Sequence, residues 1–269
     1  MLSWIRICSV VLFLAGLLVL PSQSQNSEQL EVGPPPLHRA EPPAPGATPE
    51  QLENRGDELR VEKYFLDAVD YYEAALRAEP GNASALNKVG ICQLMMQRYK
   101  DAKKSFERAI RADRKHADAY NNLGVIYYSQ HSYGSAIKNY EKAVSLRGDA
   151  ASFYNNLGAA YFAKRQFEKA IQNYSKAVQL DPDVFERSSH AGVQAQLPSP
   201  ADRAHYDYVL AKLYARTGVP DRSLHYLKKA MEEGYKDIND VYRDNEFSTL
   251  RKDARFAELM ASKPVPIQE

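Results

Sequence analysis

Ala117-Asp118-Ala119-Tyr120-Asn121-Asn122-Leu123-Gly124 decides the architecture, because the chain writes it more than once. It returns 34 residues on as Ala151-Ser152-Phe153-Tyr154-Asn155-Asn156-Leu157-Gly158, and stands 34 residues earlier as Ala83-Ser84-Ala85-Leu86-Asn87-Lys88-Val89-Gly90. One further step back reaches Pro49, where a weaker copy keeps Leu52 and Gly56. The units are 49–82, 83–116, 117–150 and 151–184, with no gap between them. A fixed period of this length marks a chain built by stacking one supersecondary unit on the next.

The chemistry of the unit follows from its spacing. The eighth position is Gly56, Gly90, Gly124 and Gly158. Glycine inside a helix costs about 1 kcal/mol relative to alanine, so its return at one spacing points to a place where a neighbouring helix needs the room. The twentieth position is Ala68, Ala102, Ala136 and Ala170, and the twenty-seventh is Ala75, Ala109, Ala143 and Ala177. The twenty-fourth is a ring: Tyr72, Phe106, Tyr140 and Tyr174. Small residues on one helix facing rings on the next give close helix–helix packing. Pro80 and Pro182 are placed to stop the second helix of their units, with Gly148 in that place in the third and Arg114 in the second.

This pattern resembles the tetratricopeptide repeat, in its period, its small-residue signature and its closing proline. The resemblance implies an all-α fold: a right-handed solenoid of stacked antiparallel helical hairpins. A fifth copy fits 204–237, with Leu210, Ala211, Tyr214, Ser223, Leu227 and Ala230 in register, alanine replacing the glycine and serine the first small residue of the second helix. Residues 185–203 break the period and read as an insertion, either a loop over the solenoid or a functional arm. Residues 238–269 carry Phe247, Leu250, Phe256, Leu259 and Met260 at helical spacings and read as the cap that covers the last hairpin. Leu250-Arg251-Lys252-Asp253-Ala254-Arg255-Phe256 is similar to the ending of many bacterial proteins of this family, with Ala254 where they have proline.

The N-terminus has a different character. Arg6 precedes an apolar run from Ile7 to Leu20, and Pro21-Ser22-Gln23-Ser24 follows it. A basic start, a short apolar centre and small residues at alternate positions make a secretory signal, 1–24, with cleavage after Ser24; an uncleaved membrane anchor is the alternative, although a full span needs roughly 20 apolar residues. Residues 25–48 contain Pro34-Pro35-Pro36, Pro42-Pro43 and Pro45-Gly46 and read as an extended tether. The protein is thus expected to be exported, periplasmic or secreted.

Other classes find little support. Lys and Arg number 35 against 34 Asp and Glu, no surplus of the kind phosphate binding needs, so no nucleic-acid partner is expected. Cys8 and Cys92 are the only cysteines; with Cys8 in the apolar leader, Cys92 reads as a small core hydrophobe. The sequence has no phosphate-binding glycine loop, zinc signature or nucleophile elbow, so no catalytic residue, metal or cofactor is expected. Tyrosine is abundant, 18 against 9 Phe and 1 Trp, and most tyrosines fall on repeat positions.

What remains is binding of a protein or peptide. In the family, the first helix of each hairpin lines a concave groove, and an asparagine at the sixth position can hold a peptide backbone with both ends of its amide. Here that position is Asn54, Lys88, Asn122 and Asn156, and the fifth adds Asn87, Asn121 and Asn155. The same residues read equally as a stripe that merely solvates the groove. A carboxylate clamp is disfavoured, since the second position is Glu50, Ser84, Asp118 and Ser152. Self-association without a client peptide is the alternative function.

Overall fold

The computed structural model describes residues 42–185 and 200–262. The expected export signal, the expected tether before residue 42, most of the expected insertion and the last seven residues lie outside the described residues. Among the described residues there are eleven α-helices, three short 3-10 helices and no strand.

The helices pair as the period requires: α1 (Pro49–Val61) with α2 (Phe65–Ala78), α3 (Ala83–Met95) with α4 (Tyr99–Ala112), α5 (Ala117–Ser129) with α6 (Tyr133–Leu146), and α7 (Ala151–Ala163) with α8 (Phe167–Leu180). Each second helix packs on the first helix of the next unit. The start of the array is set locally. Thr48 caps α1 through a reciprocal box with Gln51, its hydroxyl accepting from the Gln51 amide at 3.2 Å, and Pro49 supplies a φ already suited to the first turn. Asn82 and His116 cap α3 and α5 with side-chain acceptors.

Inside each hairpin the glycine–ring pairing is literal. A Cβ added to Gly56, Gly90, Gly124 or Gly158 would lie 2.5–2.6 Å from a ring carbon of Tyr72, Phe106, Tyr140 or Tyr174, respectively. All four rings are fully buried. The glycines are therefore where the second helix leans its ring against the backbone of the first. The alanines at the twentieth and twenty-seventh positions are buried in every unit.

The turn within each hairpin repeats as well. Lys63, Gln97, His131 and Arg165, the fifteenth residues, all adopt positive φ of 56–67°. In the first unit the Tyr64 amide donates to the Leu59 carbonyl at 2.8 Å and the Lys63 amide to that of Arg60 at 3.1 Å, the paired closure of a Schellman turn. The other units repeat both bonds. The second helices all stop at the thirtieth residue (Ala78, Ala112, Leu146, Leu180), two before Pro80 and Pro182 but equally two before Arg114 and Gly148. Helix length is thus set by the docking of the next hairpin, with proline reinforcing it.

The fifth hairpin is α9 (Pro200–Arg216) and α10 (Pro220–Glu232). Helix α9 begins four residues before the expected unit boundary, so 200–203 are its first turn and not part of the insertion; Pro200 and Pro220 each open a helix, where a missing N–H is no loss. Its turn uses Gly218 at φ 74°, and Ala211 stands in place of the glycine with Leu227 in place of the ring. Three 3-10 turns (Ile238–Tyr242, Asn245–Phe247, Leu250–Lys252) and α11 (Ala254–Ser262) follow. They bury Val241, Phe247, Leu250 and Phe256 against this hairpin. Arg251 ties the turns together by donating to the carbonyls of Val241 and Asp244, both at 2.9 Å.

Candidate functional site

Successive first helices touch one another, α3 with α5 and α5 with α7, more than successive second helices do. The first helices form the inner layer of the stack and the second helices the outer one. The fifth and sixth positions lie on that inner layer, and the structure shows what occupies them.

A single rule relates them: the fifth residue of one unit bonds the sixth of the next. Lys88 Nζ lies 3.0 Å from a Glu53 carboxylate oxygen. Asn122 Nδ2 donates to Asn87 Oδ1 at 3.0 Å, and Asn156 Nδ2 donates to Asn121 Oδ1 at 3.0 Å. Asn121 Nδ2 in turn donates to Asn122 Oδ1 at 3.2 Å. The amides of Asn156, Asn121, Asn122 and Asn87 thus make one directed chain of hydrogen bonds across three units. All four side chains are buried. In such a chain each bond polarises the next, and breaking one leaves a buried polar group at a cost of about 1–3 kcal/mol. The stripe that the sequence offers as a peptide groove is, through most of its length, a seam between repeats.

At the first seam the amides are replaced by charges. Lys88 also reaches Asp57 at 2.7 Å. The Tyr72 hydroxyl donates to Asp57 Oδ1 at 2.7 Å, and Arg60 Nε donates to that hydroxyl at 3.3 Å. Burial pushes the Asp57 carboxyl up, but the hydrogen bonds from Lys88 and Tyr72 outweigh it and hold it below the usual range. Burial pulls Lys88 down, and its two carboxylates more than restore it. Tyr72 is raised far above an ordinary phenol, by burial and then by its bond to Asp57. Cys92 beside this network is pushed up to about 12, chiefly by burial, so it is an inert core thiol.

The rule fails at the fourth seam. The sixth residue of the fifth unit is Val209, which offers no amide, and Asn155 makes no side-chain hydrogen bond among the described residues. Asn155 is 7% exposed. Asn54, at the other end, is exposed and borders a cleft of about 440 Å3 with Glu50, Glu53, Glu79, Asn82 and Lys88. The structure therefore brings Asn87, Asn121, Asn122 and Asn156 together, commits Lys88 to acids, and leaves Asn54 and Asn155 apart from the seam and from each other. At the second position, Asp118 is taken up by a two-point ion pair with Arg147, which also lies over the Phe153 ring at 4.6 Å. Among the described residues no group of histidine, cysteine and carboxylate side chains is placed to hold a metal.

Sequence reasoning misses the seam although its signal is present. A fifth position on one unit and a sixth on the next stand 35 residues apart, and Glu53–Lys88, Asn87–Asn122 and Asn121–Asn156 are complementary at that offset. Comparing positions at the period of 34 hides the offset of 35.

The same periodicity is found when the chain is compared with known families. Family models described as tetratricopeptide repeats match residues 57–102, 94–144 and 151–184, and one described as TPR repeat matches 126–164. The chain is a tetratricopeptide-repeat protein. Such repeats are generally non-catalytic and mediate contacts between proteins. None of the curated proteins matches the chain. Among solved structures it is similar to MamA (41-end) from Desulfovibrio magneticus RS-1, at 22% identity over 71% of this chain and 97% of that one, with a TM-score of 0.49. It is similar also to TTC0263, a thermophilic tetratricopeptide protein of Thermus thermophilus, at 20% identity over 76% and 100% of the two chains and a TM-score of 0.48. A third is YrrB, described as a tetratricopeptide protein with an unusual peptide-binding site, at 20% identity over 75% and 90% and a TM-score of 0.46.

Proposed function

We propose that this tetratricopeptide protein is an exported, non-enzymatic scaffold that holds a polypeptide on its inner layer, with Asn155 as the amide that meets the partner's backbone. The observation that carries this reading is the failure of the seam at the fourth junction. Asn87, Asn121, Asn122 and Asn156 are committed within the stack, whereas Asn155 retains both a donor and an acceptor. One neutral hydrogen bond contributes about 0.5–1.5 kcal/mol, so Asn155 orients a bound strand and other contacts must supply most of the affinity. The basic, apolar and small-residue pattern of residues 1–24 supports export.

The test is a pull-down with the wild-type protein and with Asn155→Ala, partners being quantified by mass spectrometry. Loss of one such bond weakens capture of the specific partner by about 2- to 10-fold while the circular dichroism of the variant stays unchanged. Equal capture by both proteins contradicts the role of Asn155, and capture of nothing by either contradicts the scaffold. N-terminal sequencing of the exported protein should begin at Gln25; a product beginning at Met1 contradicts cleavage.

A further inference from the structure

Charge is divided between two neighbouring units. Residues 49–82 hold nine Asp and Glu against four Lys and Arg, a net of −5, and residues 83–116 hold three against nine, a net of +6. The three later units lie within one charge of neutrality. Part of the first unit's acid lies on α1, and the outer layer carries the same division in smaller measure. Helix α2 exposes Asp70 and Glu73, with Arg77 at its far end, while α4 exposes Lys100, Lys104, Arg108 and Arg111. Those four cations stand at helical spacings along one stripe, and none makes an ion pair among the described residues.

Four of the six large hydrophobics exposed among the described residues, Val61, Leu66, Met95 and Tyr99, lie around the α1–α2 and α3–α4 turns, with Val219 and Tyr242 elsewhere. In the third and fourth units the position of Val61 and Met95 is held by Ser129 and Ala163. The first two units thus carry an apolar edge flanked by an acidic helix and a basic one.

We propose that this chain pairs with a second copy of itself through the outer layer and turn edge of its first two units, about a two-fold axis that sets α2 of each copy against α4 of the other. A two-fold interface is self-complementary, each patch meeting the same patch of the partner in reverse. An acidic helix beside a basic one then finds its complement twice, and the contact closes at two copies. The face is small. Two fourteen-residue helices, each about 21 Å long and about 10 Å across, offer about 420 Å2 per copy. The total of about 840 Å2 lies below the roughly 1,200 Å2 of a stable interface. The dimer is accordingly weak, and its charge component is lost as salt shortens the screening length from about 10 Å at 0.1 M to about 3 Å at 1 M. The pairing leaves the inner layer free and stands independently of the role of Asn155.

Charge reversal tests it. Asp70→Lys with Glu73→Lys makes both helices cationic, and Lys104→Glu with Arg108→Glu shifts α4 to acidic; all four positions are exposed, and unchanged circular dichroism is required of each variant. In sedimentation velocity on the full chain, wild type forms a dimer whose affinity falls about ten-fold between low and high salt. Each variant alone stays monomeric, and the two mixed form a one-to-one dimer. A wild type that is monomeric at every concentration overturns the proposal, as does a mixture that stays monomeric, or variants that dimerise alone as wild type does.

Discussion

The first four hairpins and the fifth are built on one register yet solve its problems differently. In the first four, a glycine lets a buried ring lean on the helix backbone, the hairpin turn places a non-glycine residue at positive φ, and the inner layer is stitched by fifth-to-sixth bonds at three seams. In the fifth, buried Ala211 and the smaller, buried Leu227 hold the register places of the glycine and the ring, Gly218 takes the turn, and Val209 ends the stitching. The exchanges are compensating. A methyl is admitted where the ring has gone, and the positive-φ turn position is given to a glycine, which takes it without strain. The comparison teaches that the repeat is a set of linked choices, so that one unit can leave the consensus if it leaves at several positions together.

The comparison can be broken most severely at the glycine. Gly124→Ala would place a methyl 2.5 Å from the Tyr140 ring, and because that ring is fully buried it has nowhere to retreat. Overpacking of this kind costs about 1–3 kcal/mol, and more when backbone must move, so urea unfolding should show a net loss of about 2 kcal/mol. Adding Tyr140→Leu recreates the pair of the fifth unit and should recover part of that loss. Next comes the seam. Asn122→Ala strands the Asn87 and Asn121 amides and should cost about 2 kcal/mol, whereas Asn155→Ala, with no bond to lose, should stay within about 0.5 kcal/mol in the same assay.

Within the fifth hairpin the buried Asp207 gives an effect of opposite sign. Its carboxyl is pushed up to about 6 by burial, with Lys229 at 3.3 Å opposing and Glu233 adding to the shift. A raised acid favours the folded state most below its unfolded pKa, near 4, and that advantage is lost as pH rises through about 6. Asp207→Asn should therefore raise the melting temperature at pH 7.5, by the equivalent of about 1–2 kcal/mol, and show no gain at pH 4. The smallest effect belongs to the turns. Arg165→Gly removes the penalty for an L residue at positive φ, offset by the entropy of glycine, and should add about 0.5 kcal/mol in thermal unfolding.

The array was legible in the sequence because its restraints recur at fixed offsets. Gly124 and Tyr140 are sixteen residues apart in one unit, as are Gly90 and Phe106, so the packing pair could be read before any coordinates. The turns were less legible: Lys63, Gln97, His131 and Arg165 share a conformation but no residue type, and only Gly218 carries the usual signal. The start of α9 at Pro200 was hidden because a proline that opens a helix looks like one that ends it. The candidate site was the least legible. An asparagine amide offers the same groups to a peptide and to another asparagine, and only the neighbouring unit, 35 residues away, decides between them.

The seam is tested most directly by a double-mutant cycle on Asn121 and Asn156, with urea unfolding of the wild type, Asn121→Ala, Asn156→Ala and the double variant. If the two amides bond as described, each single change strands the other amide, and the cycle gives a coupling energy of about 1–2 kcal/mol. Additive effects, within about 0.3 kcal/mol, would contradict the seam and return these residues to the groove.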